Sequence, residues 1–291
     1  MTSAPTAAAT TTARPARGRR GLDGWALAAV PGVLFLLGLF AYPIVRVLLR
    51  SVEGGTGNYV RLAESTGFGK ILVQTFWIAA LVTVVCLLLA YPYALVMSRV
   101  GGLWQTVLII LVLVPVWTAF LVRSIGMQVL LMDTGVINRT LMSLGAISEP
   151  LPLIRNTFAV TFGMTQILLP FMILPIYSVM RRVRPELVPA ALSLGAPPWR
   201  AFLQVYVPQT LSGVVSGVLL VFVLSLGFFV VPAILGGTGG TMIARSIVEL
   251  ANRNDLGMAS TLAVALLATT TIVLAVGSRF VRLNDVIGGR R

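Results

Sequence analysis

The sequence predicts an all-α integral membrane protein with six transmembrane helices and one folded loop between the fourth and fifth helices. Hydrophobic residues make up 57% of the 291 residues, charged residues make up only 11%, and the mean hydropathy is +0.94. A chain of this composition has too little polar surface to cover itself in water. Its apolar runs are each long enough for a helix to cross about 30 Å of hydrocarbon. None shows the period-two alternation of a β-barrel strand.

Six uncharged runs define the predicted helices. They cover residues 25–45, 71–97, 103–122, 157–180, 209–235 and 258–278. The first run follows a basic tail, as in a signal peptide, but it exceeds the roughly 7–15 apolar residues of a signal core, so we expect it to be retained. Residues 1–24 are rich in Ala, Thr, Pro and Arg and are predicted to be a disordered tail. The membrane domain then covers residues 25–283, and residues 284–291 form a second basic tail.

Three smaller features refine this outline. Residues 123–156 contain apolar stretches broken by polar turns, which favours short helices at the outer membrane surface. Gly213 and Gly217 form a G-x-x-x-G pattern, which indicates close packing between helices. The lone Cys86 lies inside an apolar run, so we expect it to be a small buried hydrophobic residue.

The distribution of basic residues predicts the orientation. The net charge is +13, but the arginines flank apolar runs instead of sharing one face with aromatic residues, which argues against nucleic-acid binding. If both termini are cytoplasmic, most of the 22 lysines and arginines fall on the cytoplasmic side, as the positive-inside rule requires. We therefore expect a multi-pass protein of the bacterial cell (inner) membrane, with both termini and residues 181–208 in the cytoplasm.

Residues 181–208 are the most distinctive stretch of the chain. They carry four arginines and are interrupted by Pro185, Pro189, Gly195, Pro197, Pro198 and Pro208. Gly195 can adopt the left-handed conformation that ends a first short helix, and Pro198 suits the first turn of a second. We expect this second helix to stop before Pro208. The pattern predicts a stiff helix–Gly–helix loop.

Three groups of residues within this loop stand at a distinctive spacing. They are Pro189-Ala190-Ala191, then Gly195 three residues later, then Val205-Tyr206-Val207-Pro208 after nine more. The spacing resembles the cytoplasmic signature of the binding-protein-dependent ABC transporter permeases, EAA, three residues, Gly, nine residues, Ile-x-Leu-Pro. The family's first residue is Glu, where this chain has Pro189. Proline is tolerated only in a first helical turn and costs about 3 kcal/mol deeper in a helix, so we expect the first helix to begin no earlier than about Glu186.

The resemblance covers about residues 25–283 and is closest to the spermidine/putrescine branch of the family. It rests on Asn58-Tyr59, Pro115-Val116-Trp117-Thr118, Leu121-Val122-Arg123, Gly135-Val136-Ile137-Asn138 and Leu168-Leu169-Pro170-Phe171-Met172. It implies the type I ABC importer permease fold and an assembly with a cytoplasmic ABC ATPase dimer, a second homologous permease and an extracytoplasmic solute-binding protein. It also implies ATPase coupling through Glu186, Pro189, Ala190, Ala191, Gly195, Val205, Val207 and Pro208.

The energy source is expected to lie outside this chain. The sequence has no G-x-x-x-x-G-K-[ST] phosphate loop, and none of the predicted spans contains a carboxylate that could relay protons or sodium ions. His is absent and Cys is single, which excludes disulfide frameworks and His/Cys metal clusters. We therefore expect a transport subunit that is not an enzyme, with no cofactor or metal of its own. ATP and Mg would bind to the partner ATPase.

Candidate residues for the solute path follow from the polyamine resemblance. A cationic polyamine favours carboxylates at the outer mouth and aromatic rings along the path. The candidates are Trp117, Asp133, Phe228, Phe229, Glu249 and Asp255. The alternative is that the acids are solvated or paired with Arg139, Arg245 or Arg253, and that the rings pack between helices or face lipid.

Other functions remain open at this point. The chain could be a permease of the same family for iron, thiamine or a similar small solute. It could instead be a secondary carrier with inverted repeats, although the sequence shows no paired interrupted helices in corresponding halves. A membrane enzyme on the same helices would need a set of catalytic side chains. This chain has no His and no carboxylate within its predicted spans from which to build one.

Overall fold

The computed structural model describes residues 24–53, 55–237 and 240–288, and this part of the chain is helical with no β-strand. The α-helices are α1 Gly24–Val52, α2 Gly57–Glu64, α3 Thr66–Arg99, α4 Gly102–Trp117, α5 Phe120–Leu131, α6 Val136–Ser143, α7 Thr157–Met180, α8 Leu187–Ser193, α9 Pro198–Arg200, α10 Val207–Leu226, α11 Val230–Leu235, α12 Ile243–Asn252 and α13 Leu256–Gly288. A π-helical turn, Ala201–Tyr206, joins α9 to α10. Six helical segments of the described part are long and apolar enough to cross a membrane, which confirms the predicted fold class.

The predicted tails lie mostly outside the described residues. Residues 1–23 belong to the first tail, and α1 begins at Gly24. At the other end, α13 continues through residues 284–288, so the helix does not end where the second tail was predicted to begin. The chain divides into two compact units after Arg46, and the packing described below belongs to the second unit.

The core of this second unit is built around α7. This helix is buried over most of its length, and α3 and α10 both pack against it. Gly213 and Gly217 of α10 lie directly against α7, because a Cβ atom at either position would come within 3.0 Å of Val179 or Met172. The prediction of close packing at this G-x-x-x-G pair is confirmed. Cys86 of α3 is fully buried, also as predicted.

Two of the predicted spans are interrupted. In the third, Thr118 and Ala119 are extended and separate α4 from α5. Helix α4 alone covers only about 24 Å at 1.5 Å per residue, and the longest apolar helical stretch here is Phe120–Ser143, not the predicted 103–122. Proline 115 has no N–H to continue the helix, and the Thr118 hydroxyl donates a 2.8 Å hydrogen bond to its carbonyl.

The second interruption divides the fifth predicted span. Helix α10 ends at Leu226, and three residues, Gly227 to Phe229, separate it from α11. This break places Pro232 at the third position of α11, where its missing N–H costs no helical hydrogen bond. The two interrupted spans, the third and the fifth, do not occupy corresponding positions in the two halves of the chain, and α5 packs against α11.

The helix that begins at Pro198 does not stop before Pro208, contrary to the prediction. It continues through the π-helical turn into α10, so that Pro198 to Leu226 forms one helical stretch. Proline 208 cannot donate a hydrogen bond to residue 204. The π-helical turn shifts the register, with the Val207 N–H bonded to the Phe202 carbonyl, and Pro208 then lies at the start of α10. The loop and the fifth span are therefore mechanically continuous.

Residues 132–156 connect α5 to α7 and are held by one buried side chain. The amide of Asn138 accepts a hydrogen bond from the Leu151 N–H at 2.9 Å and donates to the carbonyls of Leu151 and Met132. Asn138 is fully buried. The short helices predicted within residues 123–156 are present as α6 and as most of α5, whose residues 123–131 lie in this region.

Candidate coupling loop and solute path

The 181–208 loop has a rigid bend at Gly195. Its φ of +87° lies in the left-handed region that favours glycine. The Gly195 N–H bonds to the Leu192 carbonyl and the Ala196 N–H to the Ala191 carbonyl, at 3.0 and 3.1 Å. These two hydrogen bonds are a Schellman motif, which ends α8 and satisfies its last carbonyls. The predicted first helix of the helix–Gly–helix loop, and its end at Gly195, are confirmed.

Pro189 occupies a position where a proline does no harm. Helix α8 begins at Leu187 after Glu186, so Pro189 is its third residue and lies in the first turn. The predicted start of this helix is confirmed. The Glu186 carboxylate makes no capping hydrogen bond, and only the backbone carbonyl of Glu186 accepts one, from the Ala190 N–H at 3.0 Å. Its side chain is therefore exposed and available to a partner.

Large apolar side chains cover the outside of the loop. Leu194 is 89% exposed and Trp199 is 59% exposed. Leu192 and Leu203 are also exposed, and the Arg200 guanidinium lies 5.1 Å from the centroid of the Trp199 ring. Exposed apolar groups of this size next to a basic residue are typical of a protein–protein contact. Ala190 is exposed on the same loop, and Ala191 is half-buried.

One buried aromatic residue connects the loop to the spans. Tyr206, in the π-helical turn, is 5% exposed, and its ring stacks on Phe202 at 5.6 Å between centroids. The guanidinium of Arg99, the last residue of α3, lies 5.2 Å from the centroid of the Tyr206 ring. Helix α8 packs against the same turn. Val205 and Val207 flank Tyr206 and are half-buried.

The two interruptions meet at an aromatic contact. Phe120, the first residue of α5, and Phe228, in the break before α11, have ring centroids 6.3 Å apart in an edge-to-face arrangement. Phe228 is half-buried against the core, whereas Phe229 is 41% exposed and Trp117 is 88% exposed. The structure therefore brings Phe228 and Phe120 together. Phe120 was not among the predicted path residues, and Pro115 is the only sequence signal of the helix break that precedes it.

The three predicted acidic residues have different environments. Glu249 forms a 2.8 Å ion pair with Arg245, as the alternative interpretation proposed. The Asp255 carboxylate accepts a hydrogen bond from the Met258 N–H at 3.1 Å and caps the start of α13. Asp133 is exposed in the turn between α5 and α6. The structure assigns structural contacts to Glu249 and Asp255 and does not bring the three together.

Arg123 is a further feature that sequence reasoning missed. It lies in the first turn of α5, beside the break, and its Nε and Nη1 atoms are buried without a hydrogen-bond partner in the described residues. Burial of a charged guanidinium without a hydrogen-bond partner costs free energy in a membrane, unless another molecule contacts it. Its sequence signals were its place directly after an apolar run and its place in the Leu121-Val122-Arg123 stretch of the family resemblance.

These features define a class of protein. A multi-pass helical bundle with interrupted spans, and with a folded loop that exposes apolar groups at one end, is typical of a membrane transport subunit. Comparison with known proteins gives the family: residues 140–285 match the model for "Binding-protein-dependent transport system inner membrane component". The chain belongs to this family and is a permease subunit of an ABC importer.

Relatives and solved structures agree with this assignment. The spermidine/putrescine transport system permease protein PotB of Haemophilus influenzae is 35% identical over 65% of this chain and 66% of its own length. PotB of Escherichia coli K12 is 32% identical over 78% of this chain and 82% of its own length. A chain of a bacterial alginate ABC transporter, crystallised with a periplasmic protein that carries an alginate pentasaccharide, has a TM-score of 0.71. It covers 91% of this chain at 16% identity, so it supports the fold alone.

Proposed function

We propose that this permease imports a polyamine of the spermidine/putrescine type and is driven by a separate cytoplasmic ATPase that docks on the 181–208 loop. Relatives whose names specify spermidine/putrescine transport, at 32 to 35% identity, support the solute class. The single observation that carries the docking is the rigid, apolar surface around Gly195, continuous with the fifth span. In this assembly a second permease and a solute-binding protein complete the importer, and ATP and Mg bind only to the ATPase.

The orientation follows from the same proposal. The loop and both termini lie in the cytoplasm, where the positive-inside rule puts the basic segments of this chain. Helix α12 and the turn at Asp133 then lie on the outer side of the membrane, where they face the solute-binding protein. Of the three predicted acidic residues, Asp133 alone makes neither an ion pair nor a helix cap in the described residues, so it is our candidate for first contact with a cationic solute.

The mechanism uses the continuity between loop and spans. Closure of the ATPase pair displaces α8, and the contact between Tyr206 and Arg99 passes this displacement to α10 and α3. The interruptions at residues 118–119 and 227–229 give the spans points at which they can bend. Bending there opens the path to one side of the membrane while it closes the other. Interrupted spans also occur in secondary carriers, and membership of the permease family decides against that alternative.

A substitution at Gly195 tests the coupling. Nothing lies within 4 Å of a Cβ atom at this position, so Gly195→Val introduces backbone strain at a positive φ and no clash. Gly145 ends α6 with the same geometry, φ +69° and free space around it, which makes Gly145→Val a matched control. We expect Gly195→Val to abolish solute-stimulated ATP hydrolysis in the reconstituted importer and Gly145→Val to retain it. Equal activity of the two variants would refute the coupling role.

The solute class needs a separate experiment. Proteoliposomes that contain the complete importer are supplied with the solute-binding protein and radiolabelled spermidine, putrescine, Fe³⁺ or thiamine. We expect ATP-dependent accumulation of a polyamine and none of the other solutes. Accumulation of iron or thiamine instead would overturn the polyamine assignment and leave the permease function intact.

A further inference from the structure

A basic cavity lies beside the 181–208 loop, at the ends of two spans. Its volume is about 400 Å³. It is lined by Ser98, Arg99, Met180, Arg181, Val183, Arg184, Pro185, Val188, Pro189 and Tyr206. The cavity thus combines three guanidinium groups, the hydroxyl-bearing residues Ser98 and Tyr206, and apolar lining from Met180 and Val183.

The three arginines have no negative partner. No carboxylate lines the cavity, and none of the three forms an ion pair among the residues that the structure describes. The Arg99 guanidinium rests on the Tyr206 ring and that of Arg181 lies 5.9 Å from the centroid of the Tyr177 ring. Aromatic contacts of this kind orient a cation but do not neutralise it. The cavity therefore carries positive charge that no carboxylate among its lining residues offsets.

The position of the cavity relative to the apolar spans identifies the kind of anion. Arg99 directly follows the apolar part of α3, and Arg181 directly follows α7, so both guanidiniums lie where hydrocarbon ends and headgroups begin. The buried Met180 on one wall continues into the apolar core of the bundle. A ligand for this cavity is negatively charged at one end and apolar at the other.

We propose that the cavity binds the phosphate headgroup of an anionic phospholipid. The arginines supply planar, multidentate donors for phosphate oxygens, and the acyl chains leave along the exposed face of α3 at Pro92 and Val96. Basic pockets at the ends of membrane helices bind lipid headgroups in this way. The bound lipid holds α8 against the spans, because Val188 and Pro189 of α8 form one wall of the cavity. The inference rests on the proposed function only in placing this end of the bundle at a leaflet rich in anionic lipid.

The test compares arginines that line the cavity with one that does not. The complete importer is purified as wild type, as Arg184→Gln, as Arg181→Gln/Arg184→Gln, and as Arg182→Gln. Arg182 is an exposed neighbour in the same loop and does not line the cavity, so it controls for net charge. Retained phosphatidylglycerol is counted by native mass spectrometry after exchange into detergent with defined phosphatidylglycerol or phosphatidylcholine. This measurement is independent of ATP hydrolysis and solute uptake, so it does not depend on whether the coupling role is correct.

We expect wild type and Arg182→Gln to retain phosphatidylglycerol in preference to phosphatidylcholine. The apparent affinity should fall about fivefold for each cavity arginine removed, since one basic residue near an anionic surface contributes roughly a factor of that size. Equal retention by all four proteins would overturn the proposal. Displacement of the lipid by millimolar inorganic phosphate would show a soluble-anion site and would overturn the lipid assignment. A further arm uses the permease pair purified without the ATPase subunits. Retention by this pair but not by the complete importer would show that a group of the ATPase occupies the cavity, which also overturns the proposal.

Discussion

Phe120 and Phe228 touch edge to face, with 6.3 Å between ring centroids, and so join the break in the third span to the break in the fifth. Each residue lies where its helix loses regular hydrogen bonding. We therefore expect the two spans to separate at this contact with the smallest loss of free energy. An aromatic pair contributes about 0.5–1.5 kcal/mol beyond the area that it buries. A change at this contact therefore shifts the balance between path conformations without unfolding the bundle.

Phe228→Ala tests this relationship. We expect the balance between closed and open conformations to shift by about 2–10-fold, which should appear as ATP hydrolysis that no longer depends on the solute-loaded binding protein. Phe158→Ala is the matched control, because Phe158 also contacts an aromatic neighbour, Phe162, and is exposed on α7. If Phe158→Ala uncouples hydrolysis to the same extent, the breaks have no special role.

A second prediction concerns the packing of α10 on α7. Gly217→Leu would force a side chain into the backbone and sulfur of Met172, which lie 3.2 and 2.8 Å from a Cβ atom at this position. We expect a loss of about 1–3 kcal/mol in stability, seen as a lower thermal midpoint of the purified importer. Ser216→Leu adds a similar volume one residue away on an exposed face and should leave the midpoint unchanged. An unchanged midpoint for Gly217→Leu would contradict the close packing of these helices.

Regular features of this fold were predictable from the sequence, whereas its interruptions were not. Hydropathy predicts the number of spans, the positive φ of Gly195 follows from its place in the loop, and Pro189 sets the start of α8. The breaks at residues 118–119 and 227–229 are invisible to hydropathy because apolar residues continue through both of them. Only the prolines signal them, and the same signal failed at Pro208, where a π-helical turn carries the helix past the proline.

The candidate site shows the same limit. The loop motif depends on local spacing, so its geometry could be predicted. The partners of Glu249 and Asp255 depend on which residues the fold places nearby, and composition alone left pairing and solvation equally open. The lack of a partner for two Arg123 nitrogens depends on packing between helices that are distant in sequence. No single-sequence pattern reports such a contact.

The capping role of Asp255 gives a third prediction. Asp255→Ala removes the acceptor for the Met258 N–H at the start of α13 and should cost about 1 kcal/mol in stability. Asp255→Ser keeps a capping oxygen without the charge and should restore the thermal midpoint. Spermidine uptake per folded importer should be the same for both variants. A loss of uptake in Asp255→Ser with normal stability would mean that the charge contacts the solute after all.

Arg123 provides a fourth prediction. Replacement by Met keeps the long apolar stem and removes a guanidinium whose Nε and Nη1 atoms are buried without a partner. Because no described residue offsets the desolvation of that charge, we expect Arg123→Met to leave the thermal midpoint of the purified permease unchanged or to raise it. Arg245→Met is the contrast, since Arg245 bonds to Glu249 and to the carbonyls of Pro232 and Gly236, and its loss should lower the midpoint. A lower midpoint for Arg123→Met would reveal a partner for this cation.

The last prediction concerns Pro189, where the signature that this loop resembles has Glu. Pro189 is the third residue of α8, a position at which Glu is favoured because its carboxylate interacts with the free N–H groups and the positive end of the helix. Pro189→Glu should therefore preserve the stability of the loop and the rate of solute-stimulated ATP hydrolysis. Leu192→Pro places a proline near the other end of the same helix, where it removes a backbone hydrogen bond at a cost of about 3 kcal/mol, and should abolish coupling. If Pro189→Glu abolishes hydrolysis while the importer remains assembled, the ATPase of this system must recognise the proline itself.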